Sequence, residues 1–486
     1  MKNILINTEK TLIESRNYDY TFNWAKKGHS CDFEYFLYEA DPVSDTVTKL
    51  ILYEKTSENS IKISHNLLKA GNTYYLQVFS ENIGNSCIWH DIYFETVANF
   101  KAKVPGSLFL KPDKKIILKG YTGDENHFYA TYRFYNEMFA QNGNIYNPDL
   151  ALLSAVASGC ANSQDYKSTE YLNDFLSDLC FEDIEYYNGE KFSDSTETAE
   201  KSFFAICHRK IYANNRYYSL MGIITRGTVL GEWLDNFNVG TGNIHQGFDI
   251  SAKEVLKALG EYTEKYSLTN PEDNKFWVCG YSRGAAAANL LSKYLESEPY
   301  AKKDNIYGYT FGSPNVYMGD KETANVFNII NSGDFMPSIP HWDMWHRYGT
   351  DIYSENMDRE TLKEADTEFQ TVACKKFANY SVKNVKTIKN ELKKLAPTPE
   401  DYYNRKFSKS AKNGGITPFE LLYNISTLVM KPRFRNYLAL PNEVIKMLAI
   451  IVGLNFKQPK IFSSHSLEYY YSLTKAYNHS LKKLKN

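Results

Sequence analysis

The chain places Gly280-Tyr281-Ser282-Arg283-Gly284 between an apolar run, Phe276-Trp277-Val278-Cys279, and four consecutive alanines, Ala285 to Ala288. A short strand, a sharp turn holding a serine and a small-residue helix are a demanding combination. The turn lifts the serine side chain clear of the backbone, and glycines two residues away on each side relieve crowding where strand and helix approach. The alanines let the helix lie close to a sheet. Its N-terminus points partial positive charge at the space in front of Ser282. A G-x-S-x-G in a loop is common by chance, but this one has the surroundings that a nucleophile elbow requires.

Strands and helices alternate around that turn. Residues 219–225, 276–279, 306–311 and 325–330 predict strands, and 252–266 and 284–295 predict helices. Such alternation argues for an α/β fold with a mostly parallel central sheet covered by helices. Upstream, 129–140, 149–158 and 170–180 read as helices. Further on, Val382, Val385, Ile388, Leu392 and Leu395 follow helical spacing, with lysines on the other face. Thr417-Pro418-Phe419-Glu420 is a capping box that opens an apolar helix over 419–430, and a second apolar helix is expected over 442–454.

The first hundred residues differ. Short β-rich runs at 33–39, 47–53, 60–64, 73–80 and 87–97 suggest a small all-β sandwich. With 486 residues there is room for about two to four structural units. The expected organisation is a β-sandwich over 1–98 and an α/β domain over 101–486, the latter carrying a helical insertion or cap at about 355–460.

Charge and cysteine content narrow the function. The 56 basic and 57 acidic residues leave a net charge of −1, which removes the electrostatic argument for a nucleic-acid partner. The 7 cysteines are scattered and include no C-x-x-C, so free buried thiols are expected and no metal or redox motif is read. His341 and His346 in His-Trp-Asp-Met-Trp-His fit no zinc spacing. The N-terminus lacks the apolar run of roughly 7–15 residues of a secretory signal, and no stretch reaches the roughly 18–20 of a membrane span. A cytoplasmic location is the default expectation, with export and a signal absent from this sequence as the alternative.

Ser282 needs a base and an orienting acid, which follow a nucleophile elbow in the order Ser, Asp or Glu, His. The apolar run Asn328-Ile329-Ile330 ends in Asn331-Ser332-Gly333-Asp334, a strand closing on an acid-bearing turn. A carboxylate there is placed to hold an imidazole. His465, in Phe462-Ser463-Ser464-His465-Ser466-Leu467, precedes a Tyr-rich helix. His245 comes before the serine and reads as structural.

Together these segments resemble the class 3 lipase family, the fungal-lipase-like branch of the α/β-hydrolases. Ile224-Thr225-Arg226-Gly227-Thr228, followed by Trp233 and Asp235, is similar to the family's F-R-G-T oxyanion segment. Ile244-His245-Gln246-Gly247-Phe248 resembles V-H-x-G-F, and Tyr309-Thr310-Phe311-Gly312-Ser313-Pro314 resembles the strand after the elbow. Asn331 to Pro340 resembles the acid turn, and His465 with Leu467 and Tyr470 fits H-S-L-x-x-Y. Separately, residues 67–82 loosely resemble the late strands of a fibronectin type III module.

The family resemblance implies an α/β-hydrolase with Ser282 as nucleophile, Asp334 as acid and His465 as base. Backbone N–H groups of Thr228 and Arg283 would form the oxyanion hole, and no cofactor is implied. The implied substrate is an acyl ester or a lipid, with transient contact to a membrane or lipid surface. The elbow departs from the usual G-H-S-L-G at Tyr281 and Arg283, which bears on substrate preference. Tyr281, Trp233 in the flap after the oxyanion segment, and Leu422 and Ile450 on the two apolar helices are the expected substrate contacts. An acyltransferase or a peptidase would use the same triad. An inert hydrolase domain, with the sandwich as a binding module, is the alternative from another class.

Overall fold

A computed structural model describes residues 2–5, 11–14, 20–23, 33–41, 46–58, 60–64, 67–68, 72–81 and 87–105 of the N-terminal region. Beyond it, 127–162, 168–188, 203–214, 216–227, 242–340, 343–373, 385–386, 389 and 464–484 are described. Thr228, Trp233, His341, Leu422 and Ile450 lie outside these residues, as do the helices expected over 419–430 and 442–454.

The N-terminal strands are β1 (Lys2–Leu5), β2 (Thr11–Glu14), β3 (Tyr20–Asn23), β4 (Phe33–Asp41), β5 (Thr46–Thr56), β6 (Ser60–Ile63), β7 (Thr73–Glu81) and β8 (Cys87–Pro105). They form two sheets, β1-β3-β6 and β2-β8-β7-β4-β5. The period-2 rule is visible in the side chains: Phe33, Tyr35 and Leu37 of β4, and Tyr74, Leu76 and Val78 of β7, all point inward. They meet Phe22, Ile61 and Ile63 from the other sheet in one core. β8 continues past this sandwich. Its second half, from Ala98, pairs antiparallel with β9 (His127–Phe134), so the strand runs through the boundary expected at 98–101.

Residues 127–134 are a strand, where a helix over 129–140 was expected; only Asn136–Phe139 form a short 3-10 turn. The reason is alternation. Phe128, Ala130, Tyr132 and Phe134 are buried in turn and join Ala102 and Val104 of β8 in the main core. In a short aromatic segment that period-2 pattern is easily mistaken for a helical face, and the pairing with β8 decides it.

The central sheet is ordered β10-β11-β12-β13-β14-β16-β18. Its members are β10 (Glu182–Tyr187), β11 (Phe204–Ala213), β12 (Arg216–Thr225), β13 (Asn274–Tyr281), β14 (Ile306–Phe311), β16 (Val326–Ile330) and β18 (Thr350–Tyr353). From β12 to β18 every pairing is parallel, and β10 and β11 add antiparallel strands at one edge. A separate two-stranded ribbon joins β15 (Tyr317–Met318) to β17 (Trp345–His346).

Helices cover both faces. Phe276 and Val278 of β13 pack toward α3 (Gln246–Lys265) and α4 (Arg283–Tyr294) through Val255, Leu259, Ala288 and Leu291. The alternate residues Trp277 and Cys279 face the opposite core. There they meet α1 (Pro148–Cys160), α2 (Ser168–Asp178), α5 (Arg359–Ala373) and α6 (Leu467–Lys483). Burial on both faces explains why the middle of β13, Phe276–Cys279, reads as an unbroken apolar run with no polar alternation. No described helix is long and apolar enough to cross a membrane.

α1 starts at Pro148, with the side chain of Asn147 accepting from the N–H groups of Asp149 and Leu150. α5 and α6 run antiparallel, tied by Glu360–Lys483 and Glu368–Lys475 ion pairs and by a contact between the His479 ring and the Glu364 carboxylate. This pairing places the start of α6, and the histidine just before it, near the end of α5.

Candidate active site

Ser282 lies between β13 and α4 with φ 57 and ψ −125, a conformation that a non-glycine residue rarely adopts. Four hydrogen bonds hold the turn around it. The Ser282 N–H donates to the carbonyl of Phe311 on β14 at 2.9 Å, while its own carbonyl accepts from Ala286 at 3.2 Å as the helix begins. The Thr225 hydroxyl lies 2.7 Å from the Gly284 carbonyl and 3.1 Å from that of Cys279, joining β12 to both arms of the turn. A Cβ on Gly280 would stand 2.3 Å from that hydroxyl, and one on Gly284 would stand 2.5 Å from the Arg226 carbonyl. Both glycines of the motif are therefore required by space.

The three residues that the sequence suggested as a unit are brought together. His465 Nε2 is 2.8 Å from Ser282 Oγ, and His465 Nδ1 is 2.5 Å from Asp334 Oδ2. With Nδ1–H donating to the carboxylate, Nε2 is the acceptor and the serine hydroxyl is its donor. All three are buried, Asp334 and His465 almost completely.

Asp334 sits in the turn after β16 and has further donors. Tyr470 Oη donates to the same Oδ2 at 2.7 Å, and the Met336 N–H donates to Oδ1 at 2.9 Å. Burial, reinforced by the adjacent Asp334 carboxylate, pushes the Tyr470 phenol well above its ordinary value, so it remains an O–H donor. Asn331 organises the turn from inside. Its Oδ1 accepts from the Gly333 N–H at 3.1 Å, and its Nδ2 donates to the Ser464 carbonyl at 2.8 Å.

A buried guanidinium supports the turn from behind. Arg347 Nη1 lies 2.7 Å from the Pro337 carbonyl and 3.0 Å from both the Ser313 carbonyl and Asn315 Oδ1. Its Nε and Nη2 donate to Asp351 at 3.2 and 3.1 Å. Burial pushes Asp351 up, but the charge and hydrogen bonds of Arg347 outweigh it and hold the carboxyl below its usual range. One side chain thus links the loop after β14, the acid turn and the edge strand β18.

Among the other expected site residues, Arg283 opens α4 at the elbow, its side chain buried and directed to Ser251 Oγ at 3.1 Å. Its backbone is the part that adjoins Ser282. Tyr281, expected to touch substrate, is 3% exposed; its hydroxyl donates to the His465 carbonyl, and its ring stacks on the imidazole. The elbow folds it inward because β13 is buried on both faces. Tyr470 and Asn331 stand within the segments quoted from the sequence, yet their hydrogen bonds arise only when α6 meets the end of β16. Arg347 had no local signal at all.

Residues 218–344 match the family model for lipase (class 3). No curated protein matches the chain. Among solved structures, Rhizomucor miehei lipase in a propeptide complex is similar at 16% identity and a TM-score of 0.29, covering 42% of this chain and 67% of that one. A lipase from Rhizopus microsporus var. chinensis is similar at 17% identity and 0.29, covering 43% and 74%. Lip2 lipase from Yarrowia lipolytica is similar at 18% identity and 0.24, covering 37% and 68%. The matched stretch, residues 218–344, holds the elbow, the strand after it and the acid turn.

Proposed function

We propose that the chain is a serine carboxylic ester hydrolase acting on acyl esters, lipid esters included. One observation carries the reading: a continuous hydrogen-bonded line from Ser282 Oγ through both nitrogens of His465 to Asp334 Oδ2, ending on a serine held at φ 57. In that arrangement Ser282 Oγ attacks the acyl carbonyl while its proton passes to His465 Nε2. The tetrahedral oxyanion faces the start of α4, where the Arg283 N–H and the helix dipole favour negative charge. Collapse breaks the ester C–O bond, and the imidazolium returns the proton to the leaving alkoxide. Water then attacks the acyl-enzyme with the same histidine as base, releasing the acid and restoring Ser282. Asp334 stabilises the imidazolium that forms twice in the cycle.

The test is a panel of p-nitrophenyl esters from acetate to long chains, run on the wild type and on Ser282→Ala. The expected result is ester turnover that falls on the order of 10⁴–10⁶ in kcat in the variant. Turnover in Ser282→Ala close to that of the wild type would refute the assignment.

A further inference from the structure

His465 stands just before α6, and two side chains from different strand ends hold the backbone around it. Tyr281, the last residue of β13, donates its hydroxyl to the His465 carbonyl. Asn331, just after β16, donates its amide to the preceding carbonyl, Ser464, at 2.8 Å. Successive carbonyls of the histidine loop are thus held from the elbow side and from the acid side.

The rings add a second contact. Tyr281 stacks on the imidazole with centroids 5.0 Å apart and planes 29° from parallel. Tyr470 stands edge-on to both, at 6.1 Å from the Tyr281 ring and 6.3 Å from the imidazole. Burial, then the fields of Asp334 and of the buried Glu468, push the Tyr281 phenol well above its ordinary value, so its proton stays available for the carbonyl.

We infer that Tyr281 and Asn331 are positioning residues for the base. They set the His465 loop so that Nε2 meets Ser282 Oγ while Nδ1 stays on Asp334, and the face of Tyr281 lies against the ring that becomes positive in the transition state. The inference rests on Ser282 and His465 acting as nucleophile and base. It departs from the expectation that Tyr281 touches substrate, because a buried ring behind the imidazole acts on turnover and not on binding.

The experiment compares kcat and KM for p-nitrophenyl butyrate in the wild type, Tyr281→Phe, Tyr281→Leu, Asn331→Ala and Ser282→Ala, with melting temperatures for each. Tyr281→Phe keeps volume and ring and is the variant safest for the fold. Losing one hydroxyl bond should lower kcat about tenfold with KM nearly unchanged. Tyr281→Leu also loses the ring and should fall further, so that the phenyl variant partly rescues it. Asn331→Ala should resemble Tyr281→Phe in kcat. The downfield Nδ1–H proton resonance of His465, identified by its loss in His465→Ala, should broaden or shift in Tyr281→Phe. Wild-type kcat in both Tyr281 variants, or a loss confined to KM, would overturn the inference while the dependence on Ser282 stood. Equal rates in the wild type and Ser282→Ala would overturn the parent reading as well.

Discussion

The parallel strands bury a cation at each end, and the two are held in different ways. At the N-terminal end, Lys275 of β13 is 2% exposed and donates to Asn305 Oδ1 at 3.0 Å and Tyr307 Oη at 2.8 Å, both neutral. It lies 4.3 Å from the centre of the Tyr218 ring. Burial pushes its pKa down to about 8. At the C-terminal end, Arg347 is as deeply buried but shares two hydrogen bonds with Asp351 and three more with the loops that frame the site. The lysine closes off one end of a sheet, whereas the arginine ties the acid turn to its neighbours. Buried polarity alone therefore does not mark a site. What distinguishes the C-terminal end is a line of hydrogen bonds with a direction, ending on a serine in a strained turn.

The comparison breaks most readily at Arg347. Arg347→Met leaves Asp351 buried without its charge partner and should cost about 3–5 kcal/mol in stability. Because Pro337 and Ser313 lose their donor, turnover should fall in whatever fraction remains folded. Denaturant unfolding alongside ester kinetics checks both, and a variant as stable as the wild type would show that the network is dispensable.

Lys275 should give the smaller effect, on stability alone. Its folded-state pKa lies below the unfolded value near 10.5. The fold therefore binds its proton less well, and the contribution is fully present above pH 10.5 and is lost as pH falls toward 8. Relative to Lys275→Met, wild-type stability should rise between pH 8 and 10.5, by about 3 kcal/mol if the whole difference is expressed. Ester turnover at neutral pH should not change. Parallel stability profiles for the two proteins would show that Lys275 does not titrate in this window.

The elements legible from the sequence were those with a single dominant period. β12, β13, β14, β16, α1, α3 and α4 all fall where the alternation of apolar runs and helical faces put them. The elbow was legible because its requirements are local: two glycines, a preceding strand and small residues after it. β9 was misread because its aromatic alternation is short and its partner, the second half of β8, lies outside the local window. β10 and β11 were not anticipated; they extend the sheet by antiparallel pairing, which no nearby motif announces. The same limit applied at the site. Ser282, Asp334 and His465 could be picked out from order and context. The inward turn of Tyr281, the bridge from Asn331 to Ser464 and the grip of Arg347 on Pro337 exist only once distant segments meet.

The central claim is that Ser282 is a nucleophile activated by His465. Peptide mapping after exposure to a fluorophosphonate tests it most directly, because phosphonylation needs the activated serine and no particular acyl substrate. The account predicts one phosphonyl adduct on the peptide carrying Ser282, absent in Ser282→Ala and slowed by orders of magnitude in His465→Ala. An unmodified Ser282 in the folded wild type, or labelling that proceeds at the same rate without His465, would contradict it.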